Sequence, residues 1–106
     1  MISFSDFQKI ELKVGRIVAA EKVENSEKLV KLEVDLGEEK RQLVAGIGKF
    51  YQPQELINKE IIVVANLEPK KLMGIESQGM LLAATGEGFI SLLQPDKEVP
   101  PGTKIS

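Results

Sequence analysis

The 106-residue sequence contains no cysteine, no histidine and no tryptophan. Without cysteine there is neither a disulfide framework nor a thiolate site. Without histidine the chain lacks the commonest metal ligand and the usual general base near neutral pH. Most hydrolytic and metal-dependent chemistry is therefore disfavoured, and no cofactor is implied. The aromatic side chains are four Phe and one Tyr, too few for a platform on which single-stranded bases stack. No apolar run approaches the ~20 residues of a membrane span. The opening MISFSDFQKIE has no basic segment leading into an apolar stretch, so it does not read as a signal peptide. These absences predict an intracellular, cytoplasmic protein with no membrane partner.

A large excess of one charge is also missing. Fourteen Lys and Arg face 16 Asp and Glu, for a net charge of −2. The distribution is less even. Residues 1–39 carry six positive and nine negative side chains, whereas residues 40–71 carry six positive and three negative. Screening acts over about 8 Å at physiological salt, so a local field counts for more than the total. The plain alternative is a solvated surface with chance clustering.

The length suits one domain spanning residues 1–106, able to bury roughly 60–70% of its unfolded surface without staples. In FSDFQKIE, Ser5 precedes Gln8 by three residues, the spacing of a helix capping box, and Phe4 and Phe7 are expected to bury against the domain. KVGRIVAAEKV reads as a strand in which Gly15 suggests a bulge or bend. LVKLEVDL has the period of a half-buried strand: Val30, Leu32, Val34 and Leu36 alternate with Lys31, Glu33 and Asp35. GEEK turns, and RQLVAG returns as a third strand.

FYQPQELINK predicts a short helix, because Pro53 suits its first position. EIIVVAN is a fourth strand, and GMLLAAT, GEG and FISLL supply a fifth strand with a further hairpin arm. The tail QPDKEVPPGTKIS is too rich in proline for a central strand. Five short strands with a helix between the third and fourth predict an all-β fold, the oligonucleotide/oligosaccharide-binding (OB) barrel. Such barrels bind through strands two and three and the loops joining strands one to two and four to five.

That geometry gathers the candidate residues. The first loop offers Asn25, Ser26 and Lys28; strand two presents Lys31, and strand three opens with Arg41 and Gln42. The second loop, NLEPKKLMGIESQGM, supplies Lys70, Lys71, Ser77, Gln78 and Met80. Lysine and arginine neutralise phosphates, while hydroxyl and amide groups hydrogen-bond phosphate or sugar oxygens. Met80 offers a soft apolar surface to a base or ribose, and Gly79 admits close backbone approach or a positive φ. Each residue has a plainer reading: a solvated loop for Lys70 and Lys71, turn chemistry for Ser77-Gln78-Gly79, core for Met80 and ordinary sheet surface for Lys31. Convergence on one face favours the binding reading. The scarcity of aromatics points toward a folded backbone shape rather than splayed bases. GIG at residues 46–48 is too short for a nucleotide fingerprint, and Glu38-Glu39 is a hairpin tip rather than a catalytic dyad.

From Phe4 onward the sequence resembles the tRNA-binding domain family, most specifically in SEKLVKLEVDLG, VAGIGKFYQPQEL and ANLEPKKLMGIESQGMLLAA. This family includes the C-terminal domain of bacterial methionyl-tRNA synthetase and free-standing structure-specific tRNA-binding relatives. The resemblance implies a barrel that grips the outer corner of the L-shaped tRNA without reading the anticodon. It places contacts on Ser77 and Met80, with basic contacts on Lys28, Lys31, Arg41, Lys70 and Lys71. It also implies a homodimer using the region 92–106, with a methionyl-tRNA synthetase as a further partner. Lys71 departs from the arginine often found there, exchanging a planar fork for a point charge. The chain starts at Met1 without a synthetase body, which fits a free-standing protein and equally a domain excised behind an introduced methionine. The competing readings are a chaperone-like, peptide-binding homodimer of the same fold family and, far behind, an enzyme.

Overall fold

The computed structural model describes residues 1–106. In LVKLEVDL the side chains of Val30, Leu32, Val34 and Leu36 are buried, while Glu33 is exposed on the opposite row. The elements run in chain order as α1 (Phe4–Phe7), β1 (Leu12–Lys22), β2 (Val30–Asp35), β3 (Lys40–Ala45), α2 (Pro53–Leu56) and β4 (Glu60–Val64). They continue as β5 (Lys70–Leu72), β6 (Ile75–Ser77), β7 (Met80–Leu81), β8 (Ala83–Gly86), β9 (Phe89–Leu92) and β10 (Lys104–Ile105). The main sheet has the order β3-β2-β1-β4-β7 and is antiparallel throughout.

β1 serves both halves of the barrel. Its residues 16–22 pair with β2 and its residues 12–16 with β4. A register shift between Ile17 and Ala19 bends it, and such bulges increase strand twist. The curl brings β3 back toward β6 and β7, giving a nearly closed five-stranded barrel of the OB type with α2 between its third and fourth strands. The fifth strand is broken at Leu82, whose N–H donates to the Ile62 carbonyl at 3.0 Å. Ile17, Leu32, Leu43, Ile61 and the α2 residue Leu56 fill the interior. Each side chain of this size contributes about 1.5–3 kcal/mol on burial. Pro53 starts α2, and Glu55 Oε2 accepts from the Gln52 N–H at 2.9 Å.

Four expectations change. The cap of α1 is Ser3 rather than Ser5: Ser3 Oγ accepts from the Asp6 N–H at 3.1 Å. Phe4 and Phe7 are 73% and 39% exposed, because α1 has no buried residue to anchor them. Gly15 is not the bulge; it is a packing contact, since a Cβ there would approach Leu36 Cδ2 to 3.0 Å and Val34 Cγ1 more closely still. The connection after β4 contains a hairpin of its own, β5–β6.

The proline-rich tail folds back on its own barrel. Glu60, a buried carboxylate, accepts from the Val99 N–H at 3.0 Å and lies 3.5 Å from Arg16 Nη2. The Gly102 N–H donates to the Val14 carbonyl at 2.7 Å, and β10 pairs with Leu12 and Lys13. Gly102 and Gly37 meet backbone to backbone in left-handed conformations, with φ of 88° and 91°.

Candidate nucleic-acid interface

A second, smaller core joins the two loops expected to bind. Val23 and Leu29 flank the first loop, Val44 lies on the outer row of β3, and Leu72 and Ile75 of the hairpin pack against the cluster these three form. This cluster explains why an outward-facing valine is buried. It also fixes the loop bearing Lys28 to the hairpin bearing Lys70 and Lys71.

Local bonds shape each loop. Ser26 Oγ accepts from the Leu29 N–H at 3.0 Å, and the Lys28 carbonyl accepts from the Gly48 N–H at 2.7 Å. The Lys28 backbone is thus fixed while its side chain stays exposed. In the hairpin the turn residues Met73 and Gly74 have φ of 50° and 80°, the positive pair required by the two-residue turn that matches strand twist. Lys70 pairs with Ser77 and Lys71 with Glu76 across the ladder, so the two lysines project from opposite faces of the hairpin.

Ser77 and Gln78 close the barrel. Ser77 is buried; its Oγ accepts from the Val44 N–H at 2.9 Å and donates to the Gly79 carbonyl at 3.0 Å. Gln78 accepts through Oε1 from the Gln42 N–H at 3.1 Å, and its own N–H donates to the Gln42 carbonyl at 2.8 Å. Gln42 Nε2 in turn donates to the Glu76 carbonyl at 2.8 Å. Gly79 has φ of 139°, and a Cβ there would stand 3.0 Å from the Val64 carbonyl oxygen. The SQG segment thus supplies hydrogen bonds that a regular fifth strand would give to β3.

Arg41 is similarly engaged. Its register partner is the buried Val34, which puts it on the inward row at the barrel mouth. Its guanidinium donates to the carbonyls of Ala65 and Gln78, while Nε and Nη2 reach Glu39 Oε1 at 2.7 and 2.6 Å. Met80, by contrast, is 49% exposed.

The cations divide into two sets. On the β1–β2–β3 face each has a carboxylate: Lys31 Nζ lies 2.7 Å from Glu21 Oε1, and Lys40 Nζ 3.8 Å from Glu33 Oε1. These four residues, with Gln42 and Gln78, line a depression of about 500 Å³. On the loops, Lys28, Lys70 and Lys71 form no ion pair, nor does Lys22 at the end of β1. Lys59, Lys97 and Lys104 are also unpaired, but lie before β4 and in the tail. Beside Lys70, an apolar groove of about 800 Å³ is lined by Ile47, Leu67, Leu72, Met80 and Ile90. Sequence reasoning missed Lys22, Lys40 and this groove. Alternation along β3 places Lys40 in the row of Gln42, so that one signal was present. No group of three or more carboxylates suited to a metal occurs, and no helix is long and apolar enough to cross a membrane.

Residues 12–104 match the family model described as "Putative tRNA binding domain". The chain belongs to the tRNA-binding domain family. It is 60% identical over 105 residues to a methionine–tRNA ligase of Caldanaerobacter subterraneus subsp. tengcongensis, covering 99% of this chain and 16% of that protein. A Thermotoga maritima methionine–tRNA ligase is 56% identical over 105 residues, covering 99% and 17%. The chain therefore spans about one-sixth of the length of these relatives. Among solved structures, a MetRS related protein from Pyrococcus horikoshii superposes with a TM-score of 0.94 at 43% identity, covering 100% of this chain and 98% of that one. The chaperone CsaA from Bacillus anthracis superposes with a TM-score of 0.91 at 38% identity, covering 100% and 99%. This tRNA-binding domain thus shares its barrel with proteins of two descriptions.

Proposed function

We propose that this chain is a non-catalytic, structure-specific tRNA-binding module that grips the outer corner of the L-shaped molecule. The observation that carries the reading is the small core of Val23, Leu29, Val44, Leu72 and Ile75, which unites the loops of the unpaired Lys28, Lys70 and Lys71. Unpaired lysines on a fixed frame suit phosphates at set spacings. Met80 adds an exposed apolar contact beside them. Of the residues singled out in the sequence, Lys28, Lys70, Lys71 and Met80 are the contacts proposed here, Lys70 and Lys71 from opposite faces of the hairpin, with Lys31 at their margin. Arg41, Ser77 and Gln78 hold the frame on which they stand.

The module works as a homodimer or in company with a methionyl-tRNA synthetase. Exposed Ile2, Phe4, Phe7 and Ile10, together with region 92–106, form the surface proposed for self-association. Two linked sites raise the hold on tRNA through effective concentration.

The test is a gel-shift series with intact tRNA, an isolated stem-loop and a regular RNA duplex. Preference for intact tRNA is expected. Lys71→Ala should weaken all tRNAs alike and lower the salt slope by roughly one unit or slightly less. Equal binding of all three RNAs overturns shape selection. The apolar groove beside Met80 favours a second reading, a peptide-binding chaperone-like dimer. Under that reading an unfolded peptide displaces the tRNA or binds in its place; under the first it displaces nothing.

A further inference from the structure

We infer that Glu21 and Glu33 are specificity-determining residues: they mask Lys31 and Lys40, so that RNA is held through the loops and a long regular duplex is refused. The inference rests on the tRNA-binding reading and deepens it.

The β1–β2–β3 face carries the depression of about 500 Å³ that these four residues line, and a rod-like duplex laid across the strands would cover it. Glu21 stands directly opposite Lys31 in the ladder, and Glu33 reaches diagonally to Lys40. The Glu21 carboxylate is the more exposed of its pair, 66% against 38% for Lys31. A phosphate approaching that pair therefore meets the anion first. At the second pair the order is reversed, with Lys40 61% exposed against 49% for Glu33 and 3.8 Å between them. Glu33 thus offsets that charge without covering it, and Glu21 is the stronger mask. Arg16, opposite Asp35 on the same face, is paired with Glu60 and Glu98. Arg41, which borders the depression from the inward row, is held by Glu39 and by two carbonyls.

Exposed ion pairs such as those of Lys31 and Lys40 contribute little to folding, so stability does not account for finding a partner on each of these two lysines. A charge opposed to the ligand does more against the wrong ligand than for the right one. The loop lysines have no such partners. A bent RNA that reaches both loops at once avoids the carboxylates; a straight duplex laid across the strands does not.

The experiment compares Glu21→Gln/Glu33→Gln with Glu55→Gln/Glu87→Gln, which removes the same charge from α2 and the β8–β9 turn, away from both the loops and region 92–106. Binding of intact tRNA and of a regular RNA duplex is measured across a range of salt. The first variant is expected to gain roughly tenfold or more for duplex, with its duplex salt slope steeper by about 0.9 for each phosphate newly engaged. Its tRNA affinity should rise less, so selectivity falls. The control should leave the ratio unchanged. Lys31→Ala should cost more duplex binding in the Glu21→Gln background than in the wild type.

Equal gains for both variants, or no gain in duplex binding, overturn the masking. A wild-type chain that holds no tRNA defeats the functional reading separately. The masking is still judged by whether the variant acquires duplex.

Discussion

Gln78 engages both backbone polar groups of Gln42, accepting its N–H through Oε1 at 3.1 Å and donating its own N–H to the carbonyl at 2.8 Å. An exposed strand edge presents unpaired amides that invite other chains. Here an amide side chain stands where a neighbouring strand's backbone would be, and Ser77 repeats the device at Val44. The loop that carries the lysines is therefore part of the barrel wall. Anchoring the ligand-facing segment this firmly keeps Lys70, Lys71 and Met80 at fixed positions relative to β3.

Ser77→Ala removes the acceptor of a buried N–H and is expected to cost about 1–3 kcal/mol. For a domain of this size that is roughly 4–8 °C in melting temperature per kcal/mol. Urea titration and a thermal melt measure it. Weakened RNA binding with unchanged stability would instead assign the hydroxyl to the ligand.

Lys28→Ala and Lys59→Ala remove the same charge from two unpaired sites, one on the first loop and one just before β4. The first is expected to lower tRNA affinity and flatten the log–log salt dependence by roughly 0.7–0.9. The second should do neither. Matching losses in a salt series would replace a located interface with a diffuse charge effect.

Glu60→Ala strips the tail of its buried anchor and leaves the Val99 N–H without its partner. A loss of about 1–3 kcal/mol is expected, with faster hydrogen exchange confined to the tail and the adjacent end of β1. The tRNA-contacting loops lie at the opposite end of β1, so tRNA affinity should fall only as far as the loosened tail weakens self-association. Unchanged exchange at Val99 would show that β10 alone secures the tail.

Met73→Asn places a residue that tolerates φ near 50° before Gly74, forming the favoured Asn-Gly turn. Relief of left-handed backbone at a non-glycine residue is expected to add on the order of 1 kcal/mol. A melt no higher than wild type would mean that the exposed Met73 side chain makes up the difference through its own contacts.

The barrel was readable because its signals are local. LVKLEVDL alternates within eight residues, and Pro53 announces α2 at its own position. The frame around the site was not, because Ser77 bonds a residue 33 positions away and Gln78 one 36 away. Within its own segment SQG looks like turn chemistry. The β5–β6 hairpin stayed hidden for a different reason: methionine is a poor turn former, so KLMGIE gave no sign of reversing. For α1 the choice between Ser3 and Ser5 as cap is settled by one bond to Asp6. The lysines were correctly sited on the two loops, but their pairing state is a property of neighbouring strands. Lys31 has its carboxylate ten residues back across the ladder, and Lys28 has none.

Because Leu12 sits beside Ile105, the two ends of the domain leave from one corner. The loop bearing Lys28 lies beyond the other end of β1, roughly 30 Å away at 3.3 Å per residue. A carrier polypeptide, or a second barrel in tandem, joined at that corner leaves the lysines unobstructed. A circular permutant bridging residues 10 and 105 needs little connecting chain.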